Sequence, residues 1–360
     1  IPHGQQGPVV TPTPVPTAAP TGLPQDLNRH RVALLVPLSG ANAEVGHSIE
    51  NAATMAVLDT NATNLRITSY DTATGAESAA ARAIADGNQL ILGPLLGDDV
   101  AKVAARARPA HVPLISFSND RLVAGNDAFI MGEVPEQSID RSVDYAYAHG
   151  ARRFAAIVPN DEYGQRAQSE LSRRVAAAGG VLVDVERYDR GASGIVAAAN
   201  RLKAKDGFDT VLIADGARLA GIAASSLKKA GAALPRLLGT ELWSGQDDLF
   251  KAAALRGAWF STVPDSRYGR FASSYRSRFG SPPYQIAALG YDAVLLTLRI
   301  ARNWPTGRNF PTSQLFDPEG FLGIDGAFRF HPDGVAERAL EVRQVGAGTI
   351  TVVSPAPTQF

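Results

Sequence analysis

Arg31-Val-Ala-Leu-Leu-Val-Pro-Leu-Ser-Gly-Ala-Asn-Ala-Glu-Val-Gly46 reads as a buried strand that turns at Ser39-Gly40 into an amphipathic helix. The unbroken apolar run from Val32 to Val36 is the pattern of a strand covered on both faces, as in parallel sheets. The helix carries Ile49, Ala52, Ala53, Ala56 and Val57 on one stripe, which is core packing at helical spacing. In open α/β sheets ligands sit outside the carboxyl ends of the strands, so Leu38 to Asn42 form the first candidate wall of a cleft.

The same strand, turn and helix pattern recurs, which is the signature of a parallel sheet covered by helices. Strands are expected at 31–36, 65–70, 89–92, 113–116 and 128–131, with helices near 43–59, 76–87, 98–108 and 136–149. A second series starts at Phe154-Ala-Ala-Ile-Val158, continues with a helix over 164–178 and adds strands at 181–188, 210–214 and 236–239. Helices near 194–205 and 217–230 cover it. Beyond these, 258–262 reads as a strand and 268–279 and 284–302 as helices, while 327–331, 339–345 and 349–353 read as a terminal hairpin region. The fold class is α/β, with two Rossmann-like lobes that the tail returns to complete.

With 360 residues and 45% hydrophobic content the chain can bury large cores, and its length suits two domains. Lys+Arg and Asp+Glu are equal at 35 each, and no basic run provides a local field, so nucleic acid is not an expected partner. The absence of cysteine excludes disulfides, thiolate metal sites and a cysteine nucleophile. Pro2, Pro8, Pro12, Pro14, Pro16, Pro20 and Pro24, interleaved with Thr, make residues 1–28 an extended, disordered tether. Such a tether suits an exported domain anchored through a lipidated residue upstream of Ile1; a simple disordered tail is the alternative. No apolar stretch reaches the roughly 18 residues a membrane-spanning helix needs.

Catalytic and phosphate-binding motifs are absent: there is no Walker A, no Gly-x-Gly-x-x-Gly after a strand, no His-Glu-x-x-His and no Gly-x-Ser-x-Gly. His3, His30, His47, His111, His149 and His331 are scattered without ligand spacing, so no metal or other cofactor is expected. Ser225-Ser-Leu-Lys228 matches a Ser-x-x-Lys element, but its partner motifs are missing and it falls on an amphipathic helix. The chain reads as a non-enzyme. An α/β enzyme working in an interlobe cleft is the minority alternative, and it would be revealed by hydrolase activity abolished in Ser225→Ala.

The strand ends carry glycine with short hydroxyl, amide or acidic residues: Ser39 to Asn42, Gly93-Pro-Leu-Leu-Gly97, Ser116-Phe-Ser-Asn119, Asp161-Glu-Tyr-Gly164, Asp215-Gly-Ala217 and Thr240-Glu-Leu-Trp243. Any one such loop serves equally as a turn or helix cap. Six of them on two lobes point to a ligand cleft, where helix N-termini favour anions. The candidate ligand-binding residues are therefore Ser39, Asn42, Leu95, Gly97, Asp98, Ser116, Phe117, Ser118, Asn119, Tyr163, Asp215, Glu241 and Trp243. Tyr163 and Trp243 would supply aromatic wall, and Glu241 an anion for a ligand ammonium. The aromatics read equally well as packed side chains with a wet tip.

Four segments, in order, resemble the type I periplasmic-binding-protein superfamily, which includes the leucine/isoleucine/valine-binding proteins. They are Val36-Pro-Leu-Ser-Gly40 with Gly46, Tyr163-Gly164, Ala288-Leu-Gly-Tyr-Asp-Ala293, and Gly323-Ile-Asp-Gly-Ala-Phe-Arg-Phe-His-Pro-Asp-Gly334. The resemblance implies two lobes joined by three crossovers and closing like a hinge on a small ligand, an amino acid or a peptide-like molecule. It places the crossovers near Glu133, Val263 and Gly326. Lobe 1 is then 29–133 plus 264–325, and lobe 2 is 134–263 plus 326–354. Amino-acid binders of this superfamily hold the ligand carboxylate on a Ser/Thr-rich turn where this chain has Gly97-Asp98-Asp99. Two acids there repel a carboxylate, unless they only cap the next helix.

A narrower resemblance runs through Gly93-Pro-Leu95, Ile115 to Gly125, and Pro135-Glu-Gln-Ser-Ile-Asp-Arg141 with Tyr145. These look like the binding-protein-like domain of penicillin-binding-protein activators, exported envelope lipoproteins. The expectation is a periplasmic, non-catalytic regulator or sensor whose protein partner is a penicillin-binding protein. The alternative is the substrate-binding subunit of a branched-chain amino-acid ABC transporter, with a permease as partner.

Overall fold

The computed structural model describes residues 26–360, so nearly all of the Pro/Thr-rich segment lies outside the described residues. In the first half the chain alternates strands and helices: β1 (His30–Val36), α1 (Ala43–Asp59), β2 (Leu65–Asp71), α2 (Ala76–Ala85), β3 (Leu90–Leu92), α3 (Gly97–Ala107), β4 (Leu114–Ser116) and β5 (Ala128–Ile130). These strands form one all-parallel sheet in the order β2-β1-β3-β4-β5. Within β1, Val32, Leu34 and Val36 pack in one core with α1, while Ala33 and Leu35 pack in another with α2 and α3. That two-sided burial is why the opening run is apolar throughout.

After β5 the chain passes to a second sheet. Its elements are α4 (Pro135–Ala148), β6 (Arg153–Pro159), α5 (Glu162–Ala178), β7 (Val181–Tyr188), α6 (Ala192–Lys203), β8 (Thr210–Ile213), α7 (Ala217–Leu227), β9 (Arg236–Leu238), α8 (Asp248–Lys251) and β10 (Trp259–Thr262). The strand β6 alternates in the same way: Ala155 and Ile157 face α6 and α7, and Phe154, Ala156 and Val158 face α4 and α5.

The chain then returns to the first core with α9 (Tyr268–Phe279) and α10 (Ala287–Ala301), which pack on α1. A three-stranded antiparallel sheet follows, made of β11 (Phe321–Gly323), β12 (Gly326–Phe330) and β13 (Ala336–Arg338). A hairpin of β14 (Glu341–Val345) and β15 (Ile350–Ser354) ends the fold. It extends the second sheet antiparallel to β10, giving the order β15-β14-β10-β9-β8-β6-β7. The whole is an α/β fold of two mostly parallel sheets.

Two expectations about the tail need correcting. Residues 327–331 do not join the hairpin; they are the middle strand of the small sheet. Phe321, Phe328, Phe330 and Ala336 pack in the first core beside Ile115, Phe129 and Leu315, so the cores change hands between Arg338 and Glu341 and not at Gly326. The reason is aromatic packing: Phe129 and Phe328 each meet Phe330 edge to face, at 5.7 and 6.1 Å.

The two halves share a device that explains their opening motifs. A Cβ on Gly46 would lie 1.7 Å from the carbonyl oxygen of Pro37, and one on Gly164 would lie 1.8 Å from that of Pro159. In each half the helix after the first strand passes so close to the proline at or just past the end of that strand that only glycine fits.

Candidate functional site

Between the two sheets lies a cleft of about 470 Å³. From the first half, Val45 of α1, Leu95 and Leu96 after β3, Phe117 to Asn119 after β4, and Gln285, Ile286 and Leu289 around the start of α10 line it. The second half contributes Glu241, Leu242 and Ser244 after β9. Gly132, Glu133, Val263 and Arg338, at the segments joining the halves, and Asp325, in the turn between β11 and β12, form its floor. The loops after β3, β4 and β9 are carboxyl ends of parallel strands, the position at which such sheets present ligands.

Tyr163, in the first turn of α5, stands 2.8 Å from Thr240 Oγ1 and 3.0 Å from Glu241 Oε1, so its hydroxyl can donate to either. Asp161 caps this helix, its side chain accepting from the Gly164 N–H at 2.9 Å. The other carboxylate oxygen of Glu241 is buried without a partner. Burial, reinforced by the negative charge of Glu133, pushes the Glu241 carboxyl up to about 8. Burial together with Glu241 also holds the Tyr163 hydroxyl well above the ordinary tyrosine range.

The floor is cross-linked by hydrogen bonds. Glu133 accepts from Val263 N–H at 3.2 Å and from the Thr262 hydroxyl at 3.4 Å, joining two connecting segments. Arg338, on the third, donates from Nε to the Met131 carbonyl at 3.1 Å, and the Gln137 side chain bonds both the Ala336 carbonyl and the Arg338 N–H, each at 2.9 Å. Asp292 of α10 accepts from the N–H groups of Ile324 and Asp325 at 2.6 and 3.2 Å, which sets the loop presenting Asp325. Burial raises Glu133, Asp292 and Asp325 above the usual carboxylate range, opposed in each case by Arg338.

Of the residues expected in a site, the structure brings Leu95, Phe117, Ser118, Asn119 and Glu241 to the cleft, with Tyr163 hydrogen-bonded to Glu241. The others do other work. Ser39 is exposed and donates to Asp71 at 2.6 Å, and Asn42 is an exposed residue at the start of α1. Gly97 and Asp98 open α3 just beyond the lining, and the neighbouring Asp99 pairs with Lys102 at 2.8 Å. Ser116 is consumed by the Pro94 carbonyl at 2.7 Å and by the N–H of Ser118 at 3.1 Å. Asp215 is buried against Tyr188, Arg190 and the Gly216 N–H. Trp243 is core, stacked under Gly239 and near Phe260, and its indole N–H donates to the Asp215 carbonyl at 2.9 Å. The Ser225 hydroxyl bonds back to Gly221 along α7, away from the cleft.

Sequence reading missed the acids and the arginine of the floor as site residues. Part of the signal was available: the expected crossovers named Glu133 and Val263, and segments that join two lobes run along the floor of the cleft between them. Among the described residues no group of three or more His, Cys, Asp or Glu side chains is arranged to hold a metal ion, and no helix is long and apolar enough to cross a membrane.

Comparison with known proteins agrees with this geometry. A family model described as periplasmic binding protein matches residues 30–349. A crystal structure of a Rhodospirillum rubrum protein assigned to branched-chain amino acid ABC transport superposes with TM-score 0.80 at 20% identity, over 90% of this chain and 100% of that one. The Haemophilus influenzae LpoA (YraM) C-domain, a regulator of PBP1A, superposes with TM-score 0.70 at 18% identity, over 90% and 99%. Streptococcus pneumoniae LivJ in complex with isoleucine gives 0.63 at 20%, over 91% and 100%. At these identities the likeness is one of fold.

Among curated proteins, the chain is 25% identical over 160 residues to an uncharacterized Rickettsia prowazekii protein, covering 44% of this chain and 43% of that one. It is 23% identical over 162 residues to the penicillin-binding protein activator LpoA of Photobacterium profundum, covering 44% and 26%. The match therefore spans less than half the length of either relative.

Proposed function

This chain belongs to the periplasmic binding protein family, a family of binding proteins and not of enzymes, and we propose that it is a periplasmic envelope regulator of the penicillin-binding-protein activator type. In this reading the cleft senses a small molecule, and closure of the lobes alters a surface that contacts a peptidoglycan synthase. The proposal includes lipid anchoring through the Pro/Thr-rich segment.

One observation carries the preference over amino-acid transport. An amino acid brings a carboxylate as well as an ammonium group, and this cleft offers it Glu133, Glu241 and Asp325 on its walls and floor. Arg338, the one cation of the lining, donates to Met131 and keeps only Nη1 without a partner. The Gly97-Asp98-Asp99 turn adds two acids near the rim, in the first turn of α3. Three acids to one arginine suit a ligand ammonium better than a ligand carboxylate, which weighs against a zwitterion. The similarity to activator proteins supports the same direction, while the Rhodospirillum and Streptococcus structures support the transporter alternative.

The test pairs two measurements. Purified chain, added to the class A penicillin-binding protein of its own organism, should raise the rate of glycan polymerisation, and calorimetry should find no tight leucine, isoleucine or valine binding. Tight binding of one of these amino acids, lost in Glu241→Gln, with no effect on the synthase, would sink the regulator reading in favour of transport.

A further inference from the structure

The acids of the cleft come from different elements. Glu241 sits on the second-half wall after β9, whereas Glu133 and Asp325 sit on the floor, and the described residues contain no grouping of such side chains suited to a single metal ion. Two of them hold buried oxygens with nothing bound to them: Glu241 Oε2 and Asp325 Oδ1, on residues 9% and 6% exposed. Both residues line the cleft. The apolar side chains of Leu95, Phe117, Leu242, Ile286 and Leu289 line the same cleft.

Charge counts in the same direction. Ionised, the three acids carry three negative charges against one positive charge on Arg338, which lies over the Phe328 ring at 5.3 Å, makes no salt bridge among the described residues and keeps its own Nη1 buried without a partner, so the acids outnumber the one cation available to them. Asp292 adds a further buried acid behind Asp325. Other charged groups facing these acids are Arg343, acting on Glu133, and Glu136, acting on Glu241. Arg267 acts on Asp292, and Tyr268 lies near Asp325. The two arginines are turned to partners of their own, Arg343 to Glu341 at 2.7 Å and Arg267 to the Gly323 carbonyl at 3.3 Å. A buried carboxyl group with an unmatched oxygen is costly, and a positively charged donor relieves it.

We propose that the cleft takes a small organic dication, a molecule with two protonated nitrogens separated by a methylene chain, one nitrogen bound at Glu241 and the other at Asp325 and Glu133. This rests on the reading of the cleft as a ligand site and deepens it by naming the class of ligand. In this proposal the methylene chain lies along the apolar lining, and the two charged ends answer the two orphaned carboxylate oxygens. Binding ionises acids that burial otherwise keeps protonated, so protons leave as the ligand enters.

The test is calorimetry of the full chain at pH 8 and low salt with 1,5-diaminopentane, pentylamine and leucine. The diamine should bind at least about tenfold more tightly than pentylamine, since the second charge meets a second acidic station. In Asp325→Asn, and separately in Glu133→Gln, that advantage should shrink to within about threefold. Melting temperatures of the free variants serve as the folding control, and either variant suffices if the other fails to fold. Repeating the titration in buffers of different ionisation enthalpy should show proton release. Equal binding of diamine and pentylamine, tighter binding of leucine, or no diamine binding overturns the inference. The broader cleft reading fails by a different result: a wide small-molecule panel that leaves both the melting temperature and the separation of the lobes unchanged.

Discussion

The guanidinium of Arg166, on α5 of the second half, donates to the backbone carbonyl of Asn119, on the cleft loop of the first half, at 2.9 Å. It is held for this by Glu136 of α4, which it meets with two hydrogen bonds of 2.8 and 2.9 Å, and it approaches Asp120 at 3.8 Å. A bidentate arginine anchored in one lobe thus reaches a cleft-lining residue of the other.

Removing the far end of this link should loosen closure without harming either core. Asp120→Ala, and more strongly Arg166→Ala, should widen the separation of spin labels placed on the two lobes. Arg166→Ala should also lower stability by roughly 2–4 kcal/mol, because it leaves Glu136 buried without its counter-charge. Glu136→Gln in the Arg166→Ala background should recover part of that loss. An unchanged label distance in Arg166→Ala would show that the contact does not hold the lobes.

Glycine at the close approach in each half should be indispensable, and a glycine with open space around it should not. Gly164→Ala pushes a methyl into the Pro159 carbonyl and should cost at least about 3 kcal/mol, as overpacking against backbone does. Gly269, inside α9, has open space around its Cα, so Gly269→Ala should stabilise by about 0.5–1 kcal/mol through helix propensity. Thermal or chemical denaturation of both variants decides, and a tolerated Gly164→Ala would contradict the packing described.

Glu241 should make stability fall with rising pH. Its folded-state pKa of about 8 lies above the ordinary 4.5, so between those values the folded protein keeps a proton that the unfolded chain has lost. Stability therefore declines as pH rises through that window, by up to about 1.4 kcal/mol per unit, and levels off above it. Glu241→Gln should flatten this slope and be the more stable form at pH 8. Denaturant midpoints from pH 5 to 9 measure it, and identical slopes in the two proteins would refute the assignment.

Trp243 should matter to stability alone. Trp243→Ala empties a fully buried site beneath Gly239 and should cost about 3–5 kcal/mol, while ligand affinity at a temperature where the variant is folded should stay within about threefold of the parent. A larger change in affinity would return Trp243 to the cleft wall.

How far the sequence could be read depended on how local the cause was. The strands β1 and β6 declared themselves through unbroken apolar runs, because two-sided burial writes itself into consecutive residues. Gly46 and Gly164 stood out only through the family resemblance, and Asp161 to Gly164 marked a strand-end turn or helix cap. The cleft loops after β3, β4 and β9 followed from strand ends. Trp243 and Asp215 misled because a strand-end position says that a residue lies near the rim, not which way its side chain turns. Trp243 turned inward, where Gly239 leaves room for the indole and the Asp215 carbonyl accepts its N–H.

By itself, then, the sequence determined the α/β alternation, the two halves and the place of the cleft, since hydrophobic period, glycine and proline act over a few residues. Only the tertiary structure decided that β11 to β13 belong with the first core, that Arg166 spans the cleft, and that Glu133, Asp325 and Arg338 meet on its floor. Those relationships join residues 47 to more than 200 positions apart. Their strength comes from burial and from charges brought close in space, quantities that exist only once the chain has folded.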